Sequence, residues 1–115
     1  MKTIIAGSRT ITDYSLLMDV LDSVTWEITE VISGGARGVD RLGEQYANKN
    51  NIPIKRFPAQ WTKYGKRAGF LRNKEMAEYA DALIAVWDGE SKGTQHMLNL
   101  AKQNNLRTIY YRRRN

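Results

Sequence analysis

The sequence predicts an α/β fold: a three-layer, Rossmann-like open parallel sheet of five strands in the order 3-2-1-4-5, with helices on both faces. Three observations lead there. Short apolar runs alternate with longer segments of helical period along the chain. Each strand-to-strand interval holds a helix, which parallel pairing needs to carry the chain back. The residues unusual for a core, glycines with serines and arginines, gather after strands one, two and four. Those strand ends flank the reversal of strand order, where open α/β sheets bind ligands.

The elements follow in order. "KTIIA" (2–6) is a short apolar run ending at Gly7, as a buried strand should. "DYSLLMDVLDSV" (13–24) places Leu17, Leu21 and Val24 on one helical stripe, with Thr12 or Asp13 as N-cap. "TEVIS" (29–33) is the second strand. "VDRLGEQYANKN" (39–50) aligns Leu42, Tyr46 and Ala47, and "NNIP" stops that helix. "PIKRF" (53–57) begins with proline, which suits the first position of a strand.

Residues 58–66 show no period and read as a loop. "AGFLRNKEMAEYA" (68–80) is helical, with Phe70, Met76 and Ala77 as inward candidates. "ALIAVW" (82–87) is the most apolar stretch and reads as a central strand buried on both faces. "GTQHMLNLAKQNN" (93–105) turns Met97, Leu100 and Ala101 inward, and "RTIYY" (107–111) is the last strand. Residues 1–111 are expected to form one domain and 112–115 a basic C-terminal tail.

Bulk properties narrow the classes. A chain of 115 residues can bury roughly two-thirds of its unfolded surface in a single core. No apolar run approaches the roughly 20 residues of a membrane span, and the N-terminal run is too short for a signal peptide. With no cysteine, disulfides and thiolate metal sites are excluded, and a cytoplasmic location is expected. The net charge is +6, but Arg112, Arg113 and Arg114 supply half of it.

The loop after strand one is "GSR" (7–9), after strand two "SGGARGVD" (33–40), after strand four "WDGESKGT" (87–94). Ser33, Gly35 and Gly38 have the spacing of the dinucleotide fingerprint, with serine at its first position. Gly34 and Gly35 would let backbone approach a ligand, and amides around Ala36, Arg37 and the following helix start would face an anion. Asp40 is either a first-turn acid or an acceptor for a ligand hydroxyl. In the third loop Gly89 and Gly93 free the backbone, Ser91 and Thr94 offer hydroxyls, and Lys92 adds a cation. Thr94 caps the next helix or faces the ligand, and Asp88 caps the turn or binds ribose hydroxyls. Ser8 and Arg9 bring a hydroxyl and a bidentate guanidinium to the same rim. Arg72 and Asn73 either reach that rim or lie on a solvated face.

Other chemistries find less support. Lys55 and Arg56 lie where nicotinamide enzymes place a ribose-binding acid. There is no Walker loop, no metal-ligand spacing, and the single histidine, His96, reads as a helix-surface residue. No cofactor is called for. Nucleic-acid binding is an alternative, on the pI of about 9.7 and on Trp61 and Tyr64 among Lys63, Lys66 and Arg67.

"GSR", "SGGARGVD", "RN-x-x-M" and "WDG-x-SKGT", in that order, resemble the SLOG superfamily of Rossmann-like nucleotide-binding domains, closest to its small stand-alone YspA-related branch. The resemblance spans about residues 2 to 111. It implies a phosphate-bearing, nucleotide-derived ligand, such as an ADP-ribose-like molecule or cyclic nucleotide, held by a sensor or sequestering module. Carried over by position, Gly7, Ser8, Arg9, Gly34 to Gly38 and Ser91 to Thr94 would line the pocket. It also implies pairing into a homodimer or larger homo-oligomer. The related LOG phosphoribohydrolases carry P-G-G-x-G-T-x-x-E, whose glutamate assists glycosidic cleavage. Here Met97 occupies that position, and a thioether can neither act as a general base nor stabilise an oxocarbenium-like centre. Binding without turnover is therefore the primary expectation, and a nucleoside monophosphate N-glycosidase the alternative.

Overall fold

A computed structural model describes residues 1–113, and Arg114 and Asn115 of the expected tail lie outside them. Five parallel strands, β1 (Lys2–Gly7), β2 (Glu30–Ser33), β3 (Ile54–Arg56), β4 (Ala82–Trp87) and β5 (Arg107–Arg112), form one sheet in the order β3-β2-β1-β4-β5. Its helices are α1 (Tyr14–Leu21), α2 (Val39–Lys49), α3 (Trp61–Tyr64), α4 (Ala68–Tyr79) and α5 (Lys92–Gln103), with a 3-10 turn at Gly65–Arg67.

Alternation along the central strands explains the three layers. Ile4, Ala6, Leu83 and Ala85 pack with Met76, Ala77, Met97 and Ala101 of α4 and α5. Ile5, Ile84 and Val86 point the other way, against Leu17 and Val20 of α1 and Val39, Leu42 and Ala47 of α2. Successive strand side chains alternate in face, so β1 and β4 supply apolar residues to both. Gly43 of α2 lets that helix settle onto β1, since a Cβ there would stand 2.8 Å from Ile5 Cβ.

Several expectations shift. Asp13 is the α1 N-cap and accepts the Ser15 amide at 2.9 Å, but the helix ends at Leu21, short of Val24. Residues 61–67 are helical, although 58–66 was expected to be a loop. Four residues make about one turn, too few for an apolar period to appear. Phe70 is 49% exposed and packs edge-on against His96 at 4.6 Å between ring centroids, so it does not join the core. α5 begins at Lys92 and β5 extends through Arg112, paired with Trp87. Among the described residues no helix is long and apolar enough to cross a membrane, and no group of three His, Cys, Asp or Glu residues could hold a metal ion.

Candidate functional site

The carboxyl ends of β1, β2 and β4 meet closely because glycine permits it. A Cβ on Gly7 would overlap the Val86 carbonyl oxygen, and one on Gly38 would overlap the Ser8 carbonyl. Gly38 also adopts φ +78°, a left-handed conformation that favours glycine. Ser8, 1% exposed, ties the junction together. Its amide donates to Val86 O at 3.1 Å, its carbonyl accepts from Val39 N at 3.3 Å, and its Oγ accepts from Asp88 N at 2.9 Å. The hydroxyl expected to face a ligand holds the loops in register instead.

The second loop serves two ends. Ser33 Oγ donates to Glu44 Oε2 at 2.7 Å and accepts from Gly35 N at 3.0 Å. Ala36 N donates to Asp40 Oδ2 at 3.1 Å. The amides of Gly35, Ala36 and Val39 are thus engaged within the protein. The cations there are side chains. Arg72 reaches across from α4, donating through Nη1 to the Gly34 carbonyl at 2.6 Å and through Nε to Asn73 Oδ1 at 3.0 Å. A Cβ on Gly34 would press on this guanidinium and on Asp40.

Asp40 is 6% exposed. Burial pushes its pKa up to about 6, opposed by the Ala36 amide and by the charges of Arg72 and Arg9. Burial in turn lowers the pKa of Arg72.

The third loop is shaped by Asp88. Its Oδ1 accepts the amides of Glu90 at 2.8 Å and Ser91 at 2.9 Å, and these bonds hold its carboxyl below the usual range. Asp88 therefore closes the turn, one of its two expected roles, while Oδ2 stays at the cleft, 3.4 Å from Thr10 Oγ1. Ser91 is the α5 N-cap, accepting the Thr94 amide at 3.3 Å, and Thr94 lies in the first turn rather than at the cap. Asn73 Nδ2 donates to the Gly93 carbonyl at 3.3 Å and lies 3.4 Å from His96 Nδ1, joining α4 to α5. His96 is thus half-buried between Asn73 and Phe70, and burial lowers its pKa.

These loops enclose two adjoining chambers. The first, about 340 Å³, is lined by Gly7, Arg9, Ala36, Asp40, Arg72 and Asn73. Asp88, Ser91, Gly93 and Thr94 line it as well. The sequence reading had not placed Ala6, Thr10 or Met76 there. Thr10 directly follows "GSR", a signal that could have found it. Met97, 1% exposed, lines the same chamber, so the position where LOG enzymes carry glutamate does face the cleft.

The second chamber, about 480 Å³, shares Arg9, Ala36 and Arg72 with the first and adds Gly34, Gly35 and Arg37. Arg41, Arg56, Pro58, Ala59 and Trp61 complete it, and none of these had been assigned to the strand-end cleft. Four expected residues line neither chamber. Ser8 and Gly38 are packed at the junction, Gly89 (φ +88°) abuts Arg112, and Lys92 is exposed at the start of α5.

A family model described as the YspA, cpYpsA-related SLOG family matches residues 1–64. The Gene 61 protein of Mycobacterium phage D29 is 32% identical over 120 residues, covering 96% of this chain and 95% of that protein. No solved structure matches the chain.

Proposed function

Because the chain belongs to the YspA, cpYpsA-related SLOG family, whose members point to nucleotide-related ligands or glycosidase-like chemistry, we propose that it binds a phosphate-bearing, nucleotide-derived small molecule as a sensor or sequestering module. One observation carries this reading: Arg9, just after β1, and Arg72, on α4, line both chambers of a single cleft. Guanidinium pairs of this kind suit bidentate contact with phosphate. The first turn of α5, which holds no acidic residue and has Gly93 open at its surface, adds a partial positive charge to the same wall. Asp88 and Asn73 would then meet hydroxyl and base-edge groups of the nucleoside.

The test is calorimetric titration of adenosine 5′-monophosphate and adenosine into the protein and its Arg9→Ala variant. The nucleotide is expected to bind and adenosine to bind at least about tenfold more weakly. Arg9→Ala should lose most of the difference without a matching fall in thermal stability. Equal affinity for nucleotide and nucleoside would sink the reading.

A second reading, N-glycoside hydrolysis, is favoured by the two carboxyl groups of the first chamber. Asp40 is pushed up to about 6 while Asp88 is held low by its amides, and paired acids separated in this way divide the roles of proton donor and ionised stabiliser. Incubation with nucleoside monophosphates, monitored for free base, separates the readings. Base release abolished by Asp40→Asn would favour the enzyme; binding without release favours the module.

A further inference from the structure

The second chamber contains more positive charge than one phosphate uses. Arg9, Arg37, Arg41, Arg56 and Arg72 all line it. Among the described residues the one ion pair is Arg56–Glu44, at 2.8 Å. Arg72 is committed to the Gly34 carbonyl and Asn73, on the partition between the chambers. Arg9, Arg37 and Arg41, all exposed, converge there without a carboxylate in salt-bridge reach among the described residues. Gathering like charges costs free energy that a multivalent anion offsets.

The same chamber has an aromatic wall. Trp61 is 52% exposed at the start of α3, directly after the Pro58–Ala59–Gln60 connection. It rests against α4 where Gly69 has no side chain: a Cβ at Gly69 would lie 3.5 Å from Trp61 Cη2. An indole that contributes nothing to either core cluster, fixed on a helix beside several guanidinium groups, is a surface on which a nucleobase can stack.

We propose that the ligand is a linear dinucleotide bearing two separate phosphates. One nucleoside half occupies the first chamber and the linking phosphate lies between Arg9 and Arg72. The second phosphate sits among Arg37, Arg41 and Arg56, with its base on Trp61. This rests on the nucleotide-binding reading above and adds a second site to it. Both chambers fall within the size range of small-molecule sites.

Calorimetry with four probes tests the proposal: adenosine 5′-monophosphate, the adenylyl dinucleotide with and without its 5′-phosphate, and a 5′-phosphorylated oligoadenylate of about ten nucleotides. The phosphorylated dinucleotide is expected to bind at least about tenfold tighter than the mononucleotide, and removing its 5′-phosphate to cancel most of that gain. Arg41→Ala and Trp61→Ala, both at exposed positions, should return the dinucleotide to mononucleotide affinity while leaving the mononucleotide unchanged. A dinucleotide no tighter than the mononucleotide overturns the second site and leaves the nucleotide reading intact. Affinity that keeps rising to the oligoadenylate overturns the dinucleotide in favour of a single-strand track. Failure of every probe to bind removes both readings together.

Discussion

Asp40 stands between competing demands: the α2 N-terminus and two guanidinium groups favour its charge, while burial opposes it and prevails. Its folded pKa of about 6 exceeds the ordinary 3.8, so between those values the folded chain holds a proton that the unfolded chain has released. Stability from this group is therefore full below pH 4 and is lost as pH rises towards 6. Asp40→Asn keeps an acceptor for the Ala36 amide and removes the titration. Relative to the parent, the variant should gain up to about 3 kcal/mol between pH 4 and pH 7. Urea unfolding across that range measures it, and parallel curves would show an ordinary carboxyl. At this scale the sequence is only partly legible. Arg9 and Asp40 are legible as charged residues beside strand ends, and Arg72 as one in an early turn of its helix, whereas Ser8 has the composition of a ligand contact and the hydrogen bonds of a brace. Whether a loop hydroxyl or amide faces inward depends on partners as distant as Asp88 and Val86, which local spacing does not encode.

Elements longer than two turns were readable from their period, and the sheet order followed from their alternation. α3 was not, being one turn long, and with it went the placement of Trp61 beside the cleft. Arg41 and Arg56 escaped for a related reason. Arg56 alone counts only against a nicotinamide cofactor and Arg41 alone carries no signal, and only the pairing of β3 with β2, which sets Arg56 beside Ser33, brings them together. The start of α5 shows the opposite case, in which one side chain serves both helix and site. Ser91 caps the helix, shares a 3.0 Å bond with Thr94 Oγ1, and lines the first chamber. Ser91→Ala should cost about 1 kcal/mol, several degrees in melting temperature, and weaken nucleotide binding as the first turn frays. Unchanged melting would mean that the Asp88 turn holds the helix start unaided.

At the scale of the whole molecule, segments far apart in the chain form one cleft, so a bound nucleotide should quieten them together. Hydrogen exchange is expected to slow at residues 34–41 and 91–96 in the same titration; slowing confined to one segment would place the ligand elsewhere. The strand-end location of this cleft was legible because topology alone dictates it, while its division into two chambers turns on Arg9, Ala36 and Arg72, which line both. The boundary of the family match has a consequence of its own. Residues 1–64 furnish one bank, with Arg9, Asp40 and Trp61, while Arg72, Asn73, Asp88 and Ser91 come from the opposite bank beyond it. The family model thus describes half of a mould, and the shape of whatever is cast in it is decided as much by the half that the model leaves unwritten.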